Sequence, residues 1–191
     1  DKLIINPHKV KYIRKIQSKN CGDEKLRIAV IGAINTVKGG HVVYNLADYI
    51  QNNNSDIEIH LFGDITPKYL HKRIFYHGRY NREELPKIIE ENCIDLIFIP
   101  SICPETFSYT TEEAIMMDIP VAVFNLGAPA ERVREYRKGL ILESTDPEYI
   151  LKEITQFVSK VKSGTLEWRK NLRYYIDLIL VLTQKEIKVK Y

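Results

Sequence analysis

The sequence is short of the residues that build metal and redox centres. It has three cysteines, Cys21, Cys93 and Cys103. Their spacing fits no zinc pattern and an odd number cannot pair completely, so unpaired thiols in a reducing compartment are the simpler expectation. None of the five histidines, His8, His41, His60, His71 and His77, falls in a metal-ligand pattern, and a solvated or structural role is the default for each. The Gly-x-Gly-x-x-Gly spacing is missing after the first strand-like run, and so is that of a P-loop. Neither a hydride-transfer cofactor fold nor a P-loop enzyme is supported. No signal peptide opens the chain. The longest apolar run near its end, 178–182, is far below the roughly 20 residues of a spanning helix. Lys and Arg exceed Asp and Glu by 28 − 25 = 3, too small an excess to indicate nucleic acid. No internal repeat or low-complexity segment is present.

What is present suits a globular α/β chain. The 191 residues are 45% hydrophobic and 28% charged, enough for one sizeable domain that buries roughly 70% of its unfolded surface. Apolar runs at 26–31, 57–62, 74–76, 94–99 and 121–124 read as strands. Between them lie helical patterns: 40–52 presents Val43, Leu46, Ala47 and Ile50 on one face, and 82–92 presents Leu85, Ile88 and Ile89. Asp146 followed by Pro147 starts a helix that packs Ile150, Leu151, Ile154, Phe157 and Val158. Residues 1–25 read as a linker from a missing domain, with a strand at 3–5 and a short helix near 9–18. Ser163-Gly164 breaks the chain, and 165–187 reads as a long amphipathic helix within a terminal unit, 163–191. It holds the single Trp, Trp168, and ends in Lys185, Lys188 and Lys190. Packing against the sheet or an absent domain is the plain reading of that helix, and a membrane surface the other.

The stretch from Ser101 to Val121 carries the chemistry. Thr110 with Glu113 three residues on has capping-box spacing, so a helix begins near 108–110 and runs to Met117. Asp118 stands where a left-handed residue ends it, and Pro120 blocks continuation. Glu105 falls in the loop after a strand and Glu113 about one turn into the helix, so both face one crevice beyond the strand ends. Backbone N–H groups around 108–111 favour a phosphate. Carboxylates accept hydrogen bonds in pairs and suit vicinal hydroxyls. Anion donors beside diol acceptors describe a sugar nucleotide.

Glu105, seven intervening residues and Glu113, followed by Ala114, Pro120 and Val121, resemble the nucleotide-sugar domain of retaining GT-B glycosyltransferases of family 4. The string Pro104-Glu105-Thr106-Phe107-Ser108-Tyr109-Thr110 is similar to a variant in bacterial polysaccharide-building members. The likeness covers roughly 26–160 and implies a nucleotide-sugar-binding domain over 26–162. Lys38-Gly39 resembles the family's Lys-Gly at the donor diphosphate, and 125–133 its Gly-x-x-x-Glu segment. Residues 138–142 resemble its short final strand, the sixth strand-like run. The fold class is then α/β, a Rossmann-like three-layer αβα with a six-stranded parallel sheet, one half of a GT-B fold.

The resemblance implies that Glu105 holds donor-sugar hydroxyls and Lys38 the diphosphate, the two catalytic assignments. Glu113 would hold the ribose, with Phe107, Ser108, Tyr109, Gly39, Arg79, Gly63 and Gly127 in the substrate-binding set. Arg79 enters in place of an Arg that the family carries before its Lys; Ala33, Ile34 and Asn35 fill that position here. Ser108 and Asp118 stand where the family has Gly. No Asp-x-Asp motif occurs, and no metal or other cofactor is expected. The partners implied are a nucleoside-diphosphate sugar and a glycan or lipid-linked acceptor bound through an absent amino-terminal domain, with no nucleic acid. The implied location is cytoplasmic, with peripheral contact on the inner face of the membrane. Two other readings stand beside this one. One is a degenerate, non-catalytic sugar-nucleotide module. The other is a flavodoxin-like regulatory domain, which would need acidic residues where Gly32-Ala33 and His77-Gly78 stand.

Overall fold

Alternate residues of the strands feed two separate cores, one on each face of a six-stranded parallel sheet. The computed structural model describes residues 10–17 and 21–166. The strands are β1 Leu26–Ile34, β2 Ile57–Ile65, β3 Ile74–Gly78, β4 Leu96–Ile99, β5 Val121–Phe124 and β6 Gly139–Leu142, in the order β3-β2-β1-β4-β5-β6. The helices are α1 Gly40–Asn52, α2 Leu85–Glu91, α3 Tyr109–Met116, α4 Gly127–Arg134 and α5 Pro147–Lys162. Ile28, Val30, Ile59, Leu61 and Phe98 pack with α1 and α5 on one face. Ala29, Ile31, Ile97, Ile99, Val121 and Val123 pack with α2, α3 and α4 on the other. A parallel sheet covered on both faces needs strands that are apolar on both faces, and the continuous runs at 26–31 and 121–124 meet that need.

The chain moves outward from β1 to β2 and β3, then returns to lay β4 on the other side of β1. The loops after β1 and β4 flank that reversal, the usual ligand position in open α/β sheets. Several bounds differ from expectation. β1 and β2 run three residues further, because pairing continues through Ala33↔Asp64 and Ile34↔Ile65. The 82–92 helix is split into a 3₁₀ turn, Arg82–Glu84, and α2, whose early Pro86 lacks an N–H to donate.

Residues 10–17 are not helical. Ile13 is buried in the α2–α3 core, and the Ile16 N–H donates to Met117 O at 2.9 Å. Arg14 binds Glu90 through both terminal nitrogens, each at 2.7 Å. The cysteines also differ from the unpaired reading. Cys21 and Cys93, 72 residues apart, form a disulfide with Cα atoms 6.1 Å apart, and exposed Cys103 is the free thiol. The strand expected at 3–5 and, from 167 on, the helix expected over 165–187 lie outside the described residues. Among the described residues no helix is long and apolar enough to cross a membrane.

Candidate functional site

Three loops close on one another where the strand order reverses. Gly39 ends the β1–α1 loop at φ 78°, and a Cβ placed on it would stand 1.9 Å from Pro100 O, just beyond β4. Only glycine fits so close a backbone approach. Ile102 N–H donates to Val37 O at 3.3 Å, stitching the same two loops. Lys38 is exposed between them, its N–H turned to Asn35 Oδ1 at 3.0 Å. The start of α4 meets the loop after β4: Ala128 N–H donates to Glu105 O at 2.9 Å. Half-buried Glu105 has no side-chain hydrogen bond or ion pair assigned among the described residues.

The start of α3 lies over the end of β1, with the Thr110 methyl 3.8 Å from a Cβ built on Gly32. The cap is Ser108, not Thr110: Ser108 is extended and its Oγ accepts the Thr111 N–H at 3.4 Å. With a cap two residues earlier, Glu113 falls too deep in the helix to complete a capping box. Asp118 ends α3 in the left-handed region at φ 59°, as expected. Lys138 Nζ holds it there through Asp118 O at 2.6 Å and Asp118 Oδ2 at 3.2 Å.

Glu113 is buried, and its Oε1 accepts from Arg82 Nε. Arg82 also donates through Nη2 to Lys11 O at 2.9 Å. Burial, and then the charge of Glu113, push the Tyr80 hydroxyl well above its ordinary pKa. Next to α3, Phe107 and Tyr109 meet edge to face with centroids 4.9 Å apart. The Arg132 guanidinium lies 5.6 Å over the Phe107 ring and pairs with Glu112. Arg79 and Gly63 lie toward the β2–β3 side. Gly63 is opposite Gly32 in the β1–β2 register, and exposed Arg79 pairs with Asp64 at 2.7 Å.

Lys38, Gly39, Glu105 and Gly127 thus lie on loops that meet at this reversal, with Ser108 capping α3, whereas Arg79 is engaged with Asp64 and Glu113 with Arg82. Arg82 and Arg132 had no role assigned from the sequence; a basic residue opening the helix expected over 82–92 and another following the Gly-x-x-x-Glu spacing were the available signals. Among the described residues no group of three or more His, Cys, Asp or Glu side chains is placed to hold a metal ion.

The family described as Glycosyl transferases group 1 matches residues 12–177. No curated protein sequence matches the chain. Among solved structures, the C-terminal domain of a glycosyl transferase group 1 family protein, LpcC of Francisella tularensis, is similar at TM-score 0.54 and 19% identity, over 72% of this chain and 77% of that one. The lipopolysaccharide outer core galactosyltransferase WaaB is similar at TM-score 0.59 and 12% identity, over 90% of this chain and 49% of its own. HepE of Anabaena, solved with UDP and glucose, is similar at TM-score 0.58 and 17% identity, over 74% and 41%. The chain therefore spans about half or less of the WaaB and HepE structures and most of the isolated LpcC domain. With that family matched across most of its length, and a sheet like the C-terminal half of these enzymes, the chain belongs to the glycosyl transferases group 1 family.

Proposed function

We propose that this chain is the donor-binding half of a glycosyltransferase that moves a hexose from a nucleoside-diphosphate sugar to a glycan or lipid-linked acceptor. The observation that carries the reading is the meeting, at the reversal of strand order, of the Lys38-Gly39 loop, the Glu105 loop and the start of α3. Lys38 and the positive end of α3 suit the diphosphate, whose charge grows as the sugar leaves. That is work a metal ion does in other sites, and no cofactor is assigned here. Glu105 suits donor-sugar hydroxyls, and Glu113 the ribose diol. Phe107 and Tyr109 form an aromatic wall beside the sugar position.

The likeness to HepE, solved with UDP and glucose, supports a hexose donor, and that to WaaB supports cell-surface polysaccharide synthesis. The acceptor site belongs to a second domain, with any membrane contact peripheral and cytoplasmic. On this reading the 191-residue chain binds nucleotide weakly and transfers no sugar by itself.

Calorimetric titration with UDP, GDP and dTDP tests the proposal. One nucleotide is expected to bind, and Glu113→Ala to weaken it by about tenfold or more, the loss of charged hydrogen bonds. No binding, or binding indifferent to Glu113→Ala, would point instead to a degenerate module.

A further inference from the structure

We propose that Arg82 is a positioning residue for nucleotide recognition, holding the Glu113 carboxylate for the ribose diol and tying it to the segment that leads into the domain. The inference rests on the donor-site reading above. A carboxylate buried as deeply as Glu113, 6% exposed, needs a charged partner, and Arg82 Nε supplies it. Arginine donates and never accepts, so it cannot itself receive the diol hydroxyls, and that role stays with Glu113. A carboxylate has about four lone-pair positions, and a guanidinium on Oε1 leaves capacity for two hydroxyl donors while fixing where they must come from.

The second contact gives Arg82 more than a charge-balancing role. Its Nη2 donates to Lys11 O at 2.9 Å, so one planar fork spans Glu113 and the backbone of segment 10–17. That segment is itself fixed to the domain. Ile16 N–H donates to Met117 O at 2.9 Å, at the carboxyl end of the helix that carries Glu113. Gln17 N–H donates to Glu90 Oε1 at 2.8 Å. Helix α3 is thus gripped at its end directly and at its middle through Arg82, and a shift of the lead-in moves the acceptor the ribose would meet.

The test compares UDP with its 2′,3′-dideoxy analogue by calorimetry on the 191-residue chain, as wild type, Arg82→Ala and Arg82→Lys, with thermal melts to confirm folding. Wild type is expected to prefer UDP by about tenfold or more, the worth of hydrogen bonds to a charged group. Arg82→Ala should bring that preference close to one while leaving affinity for the dideoxy analogue within about twofold, because phosphate and base contacts remain. Arg82→Lys keeps the charge without the two-point fork and should recover only part of the preference. If Arg82→Ala fails to fold, Arg82→Lys decides: an undiminished preference overturns the proposal. Equal weakening of both ligands in either folded variant also overturns it, since a merely structural role acts that way. Wild type that binds both ligands equally removes Glu113 from ribose recognition and this proposal with it, but keeps the diphosphate site. Wild type that binds neither of these, nor GDP or dTDP in the titration above, ends the donor-site reading as a whole.

Discussion

The backbone of Glu105 rests against Gly127 so closely that a Cβ on Gly127 would stand 2.7 Å from Glu105 O and 2.8 Å from Glu105 N. Gly127 also holds φ 57°, a conformation that costs a side-chain-bearing residue roughly 1–2 kcal/mol. Gly127→Ala is therefore expected to destabilise the domain by about 1–3 kcal/mol, strain and contact together. It should also displace the Glu105 loop, so any nucleotide sugar should lose more affinity than the bare nucleotide. Urea unfolding and paired titrations check the two effects. A variant as stable as wild type with unchanged sugar preference contradicts the role given to this contact.

The Cys21–Cys93 disulfide joins the approach to β1 to the turn after α2, closing a separation of 72 residues. On the chain-entropy account, a loop of that size contributes about 4 kcal/mol by restricting the unfolded chain. Native protein purified without reductant should yield a single reactive thiol, Cys103, and three after reduction in denaturant. Cys93→Ala should lower the unfolding free energy by up to about the same 4 kcal/mol. Three thiols in the native, unreduced protein would show that the bond is not formed.

On β2 and β3, His60 Nδ1 and His77 Nε2 face each other at 3.0 Å, and His60 Nε2 lies 3.4 Å from Glu58 Oε2. Burial holds both imidazoles below the ordinary histidine pKa. For His60 the pull of Glu58 works the other way without prevailing, and the facing His77 and nearby Arg27 add to the lowering. A folded pKa below the unfolded one means that the unfolded chain takes up protons first. Stability is then fully present above about pH 6.5 and is lost as pH falls from there through the folded values. The facing nitrogens share one proton, and a second sets two N–H groups against each other. Urea midpoints should drop on acidification from about pH 7.5 to 5, ahead of ordinary carboxylate titration, and His60→Gln should flatten that slope. A midpoint independent of pH across this window would contradict the assignment.

The parts written locally in the sequence were readable there, and those written across it were not. The 3.6-residue spacing of Val43, Leu46, Ala47 and Ile50 marked α1 at its observed bounds, Gly40–Asn52. Asp118 and Pro120 marked the end of α3, because a left-handed residue and a missing N–H stop a helix by local geometry. Arg82 read only as the opening of a helix, since its partner Glu113 lies 31 residues away on another element. Gly32 and Gly63 read as strand ends, yet they face each other in register and the ladder passes through both. Segment 10–17 fell within the short helix expected near 9–18. Its Ile16 and Gln17 N–H groups go instead to Met117 O and Glu90, acceptors that no local pattern announces.

That segment supplies the last expectation. Two of the contacts that hold it differ in the kind of energy they supply. Ile13 is 5% exposed in the core beside α2 and α3, so Ile13→Ala removes apolar contacts and leaves a cavity, at a cost of about 2–5 kcal/mol. The Arg14–Glu90 pair is doubly hydrogen-bonded, but its arginine side chain is 50% exposed, and solvent screening leaves such a pair little weight. Urea unfolding should therefore show Ile13→Ala well below wild type and Arg14→Ala close to it. The reverse ranking would mean that charge rather than burial anchors the lead-in. An Ile13→Ala as stable as wild type would mean that the segment is not packed on the domain, and Lys11 O would no longer be available as the second acceptor for Arg82.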